Sequence, residues 1–196
     1  MEFDYMDDVY EDDDLEFEET EAQDTTDVEV EGLDVEELDW KVHYKENLGM
    51  SDEMIEALDT KPGLRDYMQT ELVDLARHPY MEGQRSILTD LETGLVVKDE
   101  NGDFVECPRN TKGAQRPDAM FVDEAGNVEI LESKCYHDVN ALKNNIREQT
   151  ASRYGAWGDD IDLTYSIAAN EFTIEDADKL HALEDELDIN IEFQYK

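Results

Sequence analysis

The sequence predicts a mixed α/β sandwich around a single sheet. Three observations carry that prediction. Helical and strand-like stretches alternate through the second half of the chain, the strand-like stretches are short and rich in Val, Ile, Phe and Tyr, and cap or turn residues stand at most of the junctions.

Taken in order, Asp34 is placed to cap a first helix, with Glu37 three residues on as its capping-box partner, and that helix runs to about Asn47. Gly49 and Ser51 mark a break, after which Ser51 caps a short helix to Leu58. Pro62 suits the first turn of a longer helix, which ends near Arg77 where His78-Pro79 stops it. Residues 86–97 read as two short strands around a turn, residues 99–103 as another turn, and Phe104-Val105 as the start of a further strand. A polar loop spans 106–116. A hairpin follows, with strands at 119–123 and 128–135 around Ala125-Gly126-Asn127. Asp138 caps a long helix to about Tyr154, residues 163–169 form a strand, Thr173 caps a helix over 174–187, and residues 189–195 alternate as a closing strand does.

Charge divides the chain unevenly. The formal net charge is -38, from 54 acidic and 16 basic residues. Residues 1–40 alone hold 20 acidic residues and no Lys or Arg, whereas residues 101–150 hold 9 acidic and 6 basic. Residues 1–33 therefore read as an acidic, mostly disordered tail, because such a block cannot bury enough apolar surface to order itself. Residues 34–59 form a helical N-terminal segment and 60–196 the main domain. A protein this acidic repels itself at ordinary ionic strength, but at roughly 1 M salt the Debye length falls to about 3 Å and the repulsion is screened. The simplest source is a salt-in halophile such as a halophilic archaeon, or a virus of one. That places the protein in a high-salt cytoplasm or a virion. Cys107 and Cys135 belong to no close CxxC pair, which argues against a zinc ribbon. No stretch of about 18 apolar residues and no signal peptide is read, so no membrane role is expected.

The chemistry-bearing stretch is Arg116-Pro117-Asp118 followed, after thirteen residues, by Glu132-Ser133-Lys134. Alternate residues of a strand share a face, so Glu132 and Lys134 point the same way as Val128 and Ile130. Two charges on a core-facing strand need to be paired or to bind something. Asp118 begins the partner strand and lies across from about residue 134, at the same end of the sheet. Two carboxylates are hard oxygen ligands suited to Mg²⁺ or Mn²⁺, and the Ser133 carbonyl is placed to add a third oxygen. An ion held there would activate water against a phosphodiester, while Lys134 orients that water or stabilises developing negative charge.

At Pro117-Asp118 and Glu132-x-Lys134 the chain resembles the PD-(D/E)xK nuclease superfamily, and the surrounding elements over about 60–196 resemble its core of helix, three strands, helix and strand. The resemblance implies a restriction-endonuclease-like mixed sheet flanked by helices, with Asp118 and Glu132 as metal ligands and Lys134 as the catalytic lysine. It also implies a further acid on the preceding helix, for which Glu71 is the natural match. Some members carry a Gln and a Tyr on the helix after the lysine strand. Gln149 and Tyr154 lie there, but one residue further apart than in that pattern.

Arg109, Lys112 and Arg116 line the loop before Asp118, where Gly113 permits a close backbone approach to a ligand. Lys143 and Arg147 share a face of the next helix. With Gln149, these residues are candidate contacts to nucleic acid; the alternative for the cations is local pairing with acids on a solvated surface. The leading function is a Mg²⁺-dependent nuclease acting on DNA. Two others stay open. One is a binding or structural protein on a nuclease-derived fold, for example in a viral particle. The other is an acidic mimic of DNA that uses residues 1–40 to bind a basic protein partner, or to restrain the chain's own groove. Oligomeric state is left open.

Overall fold

A computed structural model describes residues 38–46, 49–159, 161–169 and 172–194. The expected cap at Asp34, its partner Glu37 and the acidic tail lie outside these residues. The described chain is an α/β structure with five helices and an open, five-stranded mixed sheet.

The local signals around the helices place them well. Helix α1 spans Trp40–Glu46, α2 Asp52–Asp59 and α3 Pro62–Arg77. Ser51 caps α2 by accepting from the Met54 amide, and Pro62 opens α3, where a missing N–H costs nothing. Helix α4 (Val139–Trp157) is capped by Asp138, and α5 (Ile174–Leu187) by a full capping box between Thr173 and Asp176.

The strands are β1 (Glu82–Gly83), β2 (Ala119–Val122), β3 (Val128–Lys134), β4 (Ile161–Ala168) and β5 (Asn190–Gln194). They lie in the order β1-β2-β3-β4-β5; the β1–β2 and β2–β3 pairs are antiparallel, and β3–β4 and β4–β5 are parallel. Helix α4 makes the crossover from β3 to β4, and α5 that from β4 to β5.

Each face of the sheet has its own cover. On one side Met120, Val128, Ile130 and Tyr165 pack with Leu142 and Ile146 of α4 and with Leu180 and Leu183 of α5. On the other, α3 packs against β3 and β4. Trp40 and Tyr44 of α1 and Ile55 of α2 close a second cluster with Met68 and Leu72 of α3. The segment 34–59 is thus joined to the main body wherever it is described. No helix among the described residues is long and apolar enough to cross a membrane.

Two sequence expectations need correction. Residues 86–97 and 104–105 do not form strands. They make isolated bridges, Thr89 to Val96 and Lys98 to Phe104, with Ile87 bridging both Glu106 and Gln115. The turns at Asp90–Gly94 and Asp99–Asp103 reverse the chain too often for a ladder to extend. The hairpin register also differs. Val122 pairs with Val128 and Ala119 with Leu131, so one further step sets Asp118 opposite Glu132 rather than Lys134. The cause is Asp123, whose amide donates to the Asn127 carbonyl and whose carboxylate accepts from the Ala125 and Asn127 amides, centring the turn one residue earlier than expected.

Candidate active site

Strand β3 carries the site because its alternation runs out of apolar residues at its C-terminal end. Val128 and Ile130 enter the core under α4, and the next two residues on that face are Glu132 and Lys134. Both are buried, at 1% and 6% exposure, so each needs a partner. Helix α4 supplies them. Arg153 donates from Nε to Glu132 Oε1 at 2.6 Å, and Gln149, one turn earlier, donates to Oε2. Lys134 Nζ reaches Oε2 at 3.5 Å and lies 5.5 Å from the centre of the Tyr165 ring. Burial pushes the Glu132 carboxyl above its usual range, and the charges of Arg153 and Lys134 oppose that rise without reversing it.

Asp118 stands just before β2. The Tyr67 hydroxyl on α3 donates to its Oδ1 at 2.7 Å, and the Ser133 amide donates to Oδ2 at 2.9 Å. The N–H and C=O of one strand residue point to the same side, so the Ser133 carbonyl also faces the edge where Asp118 lies. Asp118, Glu132, Ser133 and Lys134 line one open cleft of about 550 Å³ together with Tyr67, Arg116, Tyr136, Gln149 and Arg153.

Glu71 lies nearby on α3 and is buried. It accepts from the Tyr44 hydroxyl and from Gln84 Nε2. Burial pushes its carboxyl up to about 7 against those hydrogen bonds, with the Asp118 charge adding to the rise and Arg109 opposing it. Gln84 takes a left-handed backbone, φ 61°, while its amide donates to the Asp118 carbonyl at 3.1 Å. A non-glycine residue in this region is uncommon, and such residues cluster at functional sites. Burial also raises Tyr67 and Tyr44, with Asp118 and Glu71 contributing, so both phenols stay protonated donors.

On the opposite face of β3, Ser133 Oγ donates to Asp74 of α3, which also accepts from Ser166 at 2.6 Å and from Gln194. Burial pushes Asp74 up to about 6 despite those three bonds. Ser133 is therefore held by its side chain on one side of the sheet while its backbone faces the cleft.

The structure thus brings Asp118, Glu132, Ser133 and Lys134 together, with Glu71 beside them. The predicted phosphate contacts fare unevenly. Arg116 is exposed and lines the cleft. Arg109 is exposed on the side of Glu71 and Tyr44, and Lys112 is exposed on the same loop. Arg147 instead makes a two-pronged pair with Glu186 of α5, both bonds 2.8 Å, and Lys143 also acts on Glu186. That face of α4 turns toward α5 and away from the cleft. Gln149 is directed at Glu132 rather than outward, and Tyr154 bonds the Asp188 carbonyl. The place four residues after Gln149, on the same face, belongs to Arg153. Gly113, at φ 80°, packs against Thr89 and Leu91, and Thr89 bonds its carbonyl at 2.7 Å. Its freedom therefore serves a loop closure.

Sequence reasoning missed Tyr67, Tyr44, Gln84, Gln115 and Asp74, and it assigned Arg153 no place in the site. For Arg153 one signal existed, its i, i+4 spacing from Gln149. The others depend on tertiary approach and leave no local mark. No protein-family model, curated protein or solved structure matches the chain.

Proposed function

We propose that the cleft is the centre of a metal-dependent nuclease that hydrolyses phosphodiester bonds in DNA, with a core arranged as in the PD-(D/E)xK nucleases and adapted to high salt. The observation that carries this reading is the convergence of Asp118, Glu132 and Lys134 on one cleft at the end of two adjacent strands.

The donor set fits Mg²⁺ or Mn²⁺. Among the described residues no three His, Cys, Asp or Glu side chains converge as a metal cage. Magnesium does not need one, since it keeps several waters and commonly takes one or two carboxylates. Asp118 spends one lone pair of each oxygen on Tyr67 and Ser133, leaving a second on each. Glu132 Oε2 accepts from Gln149 and meets Lys134 at 3.5 Å, the longer of its two contacts and one that is readily exchanged. Asp118, Glu132 Oε2 and the Ser133 carbonyl would hold the ion. A divalent ion bound here supplies an activated water and neutralises charge on the scissile phosphate.

The chain's own groups do the rest. Lys134, released from Oε2, remains within reach of the same edge to orient water or to meet developing negative charge. Arg116 offers the exposed cation of the cleft for a phosphate. Tyr67 holds Asp118 in one rotamer. Counterion release weakens steeply with salt, and the cleft has no broad basic patch to depend on it. Activity should appear as cleavage of plasmid or linear DNA at molar KCl with Mg²⁺ or Mn²⁺, and be lost in Lys134→Ala and Asp118→Ala. Equal activity in wild type and both variants would sink the catalytic assignment.

One observation favours a second reading. Both oxygens of Glu132 are already engaged, by Arg153 on one side and by Gln149 and Lys134 on the other. A protein that kept the fold and lost turnover would look the same. Such a protein would bind DNA or a particle partner with no dependence on divalent metal, which filter binding with and without EDTA separates from the first reading.

A further inference from the structure

The two oxygens of Glu132 are not held alike. Oε2 has two contacts of different chemistry, the neutral Gln149 and the distant Lys134. Oε1 is held by one guanidinium that also holds something else. From 6% exposure on α4, Arg153 donates through Nε to Glu132 Oε1 at 2.6 Å, through Nη1 to Gln115 Oε1, and through Nη2 to the Arg116 carbonyl at 3.0 Å. Nη2 approaches Glu132 Oε1 as well. Gln115 is itself fixed, because its backbone exchanges both hydrogen bonds with Ile87 at 2.8 and 2.9 Å. Ile87 is fully buried. One planar fork therefore spans Glu132 on β3 and the two residues that lead into Pro117-Asp118.

We propose that Arg153 is the positioning residue of this centre. It dedicates Glu132 Oε1 to itself, leaves Oε2 as the one oxygen that Glu132 offers to a metal ion, and sets the separation between Glu132 and the segment carrying Asp118. The proposal rests on the metal-centre reading above. It follows from what a guanidinium can do and an ammonium cannot. Five N–H donors in a rigid plane reach three acceptors at fixed angles, whereas a lysine offers one point charge on a flexible stem. It also accounts for the cation in so dry a place, since a buried carboxylate needs a partner with good geometry to stay ionised. Loss of an outer partner of a metal ligand typically costs 10–100-fold in affinity or activity.

The test is calorimetric titration of Mn²⁺ into the full chain at molar KCl, for wild type, Arg153→Lys, Gln115→Ala and Asp118→Ala. Far-UV circular dichroism and melting temperature establish that each variant folds. Wild type binds Mn²⁺ and Asp118→Ala does not. Arg153→Lys keeps the charge and loses the fork, so it binds about 10–100-fold more weakly. Gln115→Ala cuts only the arm to the Asp118 segment, leaves the ion pair intact, and weakens binding several-fold. A merely structural arginine would lower the melting temperature and leave the Mn²⁺ affinity where it was. Unchanged or tighter binding in both Arg153→Lys and Gln115→Ala, with Asp118→Ala still silent, overturns the positioning role and spares the metal centre. Absence of Mn²⁺ binding in the wild type overturns both. Should Arg153→Lys fail to fold, Gln115→Ala decides alone.

Discussion

Strand β3 sits between two carboxylate clusters that differ in one respect. Glu132, on the α4 face, and Asp74 and Glu71, from the α3 side, are almost equally buried at 1%, 1% and 2% exposure. Glu132 is met by two cations, Arg153 and Lys134. Asp74 is met by Ser133, Ser166 and Gln194, and Glu71 by Tyr44 and Gln84, all neutral donors. With no cation bonded to them, burial pushes Asp74 up to about 6 and Glu71 up to about 7. A chain with 16 basic against 54 acidic residues thus places two buried cations at one carboxylate. That carboxylate lines the cleft. Burial raises all three carboxyls, and what distinguishes Glu132 is that charged partners, rather than neutral donors alone, oppose the rise.

The contrast can be broken most severely at the charged cluster. Lys134→Ala and Asp118→Ala should each lower DNA cleavage by at least roughly 100-fold, the usual scale for removing a group that meets developing charge; initial rates at molar KCl with Mg²⁺ measure this. Next comes the ion pair itself. Arg153→Met leaves buried Glu132 with only Gln149 and the distant Lys134, and should cost about 3–5 kcal/mol in denaturant unfolding.

The neutral cluster can be read through pH. The folded state raises the Asp74 carboxyl, so it binds more protons than the unfolded chain between the ordinary carboxylate range and about 6. The stability this provides is complete below that range and is lost as pH rises through about 6. Glu71 follows the same sign up to about 7. Melting temperature of the metal-free protein in molar KCl, which screens the general acidic repulsion, should therefore fall between pH 4 and pH 7. Asp74→Asn mimics the protonated acid, with the Ser133 hydroxyl turning to accept. It should flatten that fall and add on the order of 2 kcal/mol at pH 8. A variant that is less stable than wild type at pH 8 would show that Asp74 is held charged after all. The smallest effect belongs to Arg147→Ala. Its pair with Glu186 faces solvent, so the KM for DNA should not change, and a raised KM would return Arg147 to the substrate side.

Much of the scaffold was legible because its signals are local. Ser51, Pro62, Asp138 and Thr173 each begin a helix where the sequence placed one, and His78 ends α3. The hairpin and the shared face of Glu132 and Lys134 follow from alternation alone. The register slipped by two residues because Asp123 joins the turn through bonds to Ala125 and Asn127 that strand propensity does not encode. The short β1 was invisible, since two residues carry no period. At the site, the acids and the lysine could be read from spacing, but their partners could not. Arg153 meets Gln115 across 38 positions, and Tyr67 meets Asp118 across 51. Such pairs exist only once the helices dock on the sheet.

The central claim is that Asp118 and Glu132 hold a divalent ion beside Lys134. A crystal of the full chain soaked in MnCl₂ and measured at the manganese absorption edge tests it most directly. An anomalous peak bonded to Asp118, Glu132 Oε2 and the Ser133 carbonyl, with Lys134 withdrawn from Oε2 and Arg153 still on Oε1, is the expected result. Ordered Asp118 and Glu132 with no peak between them, and Gln149, Lys134 and Arg153 all still on Glu132, would contradict it.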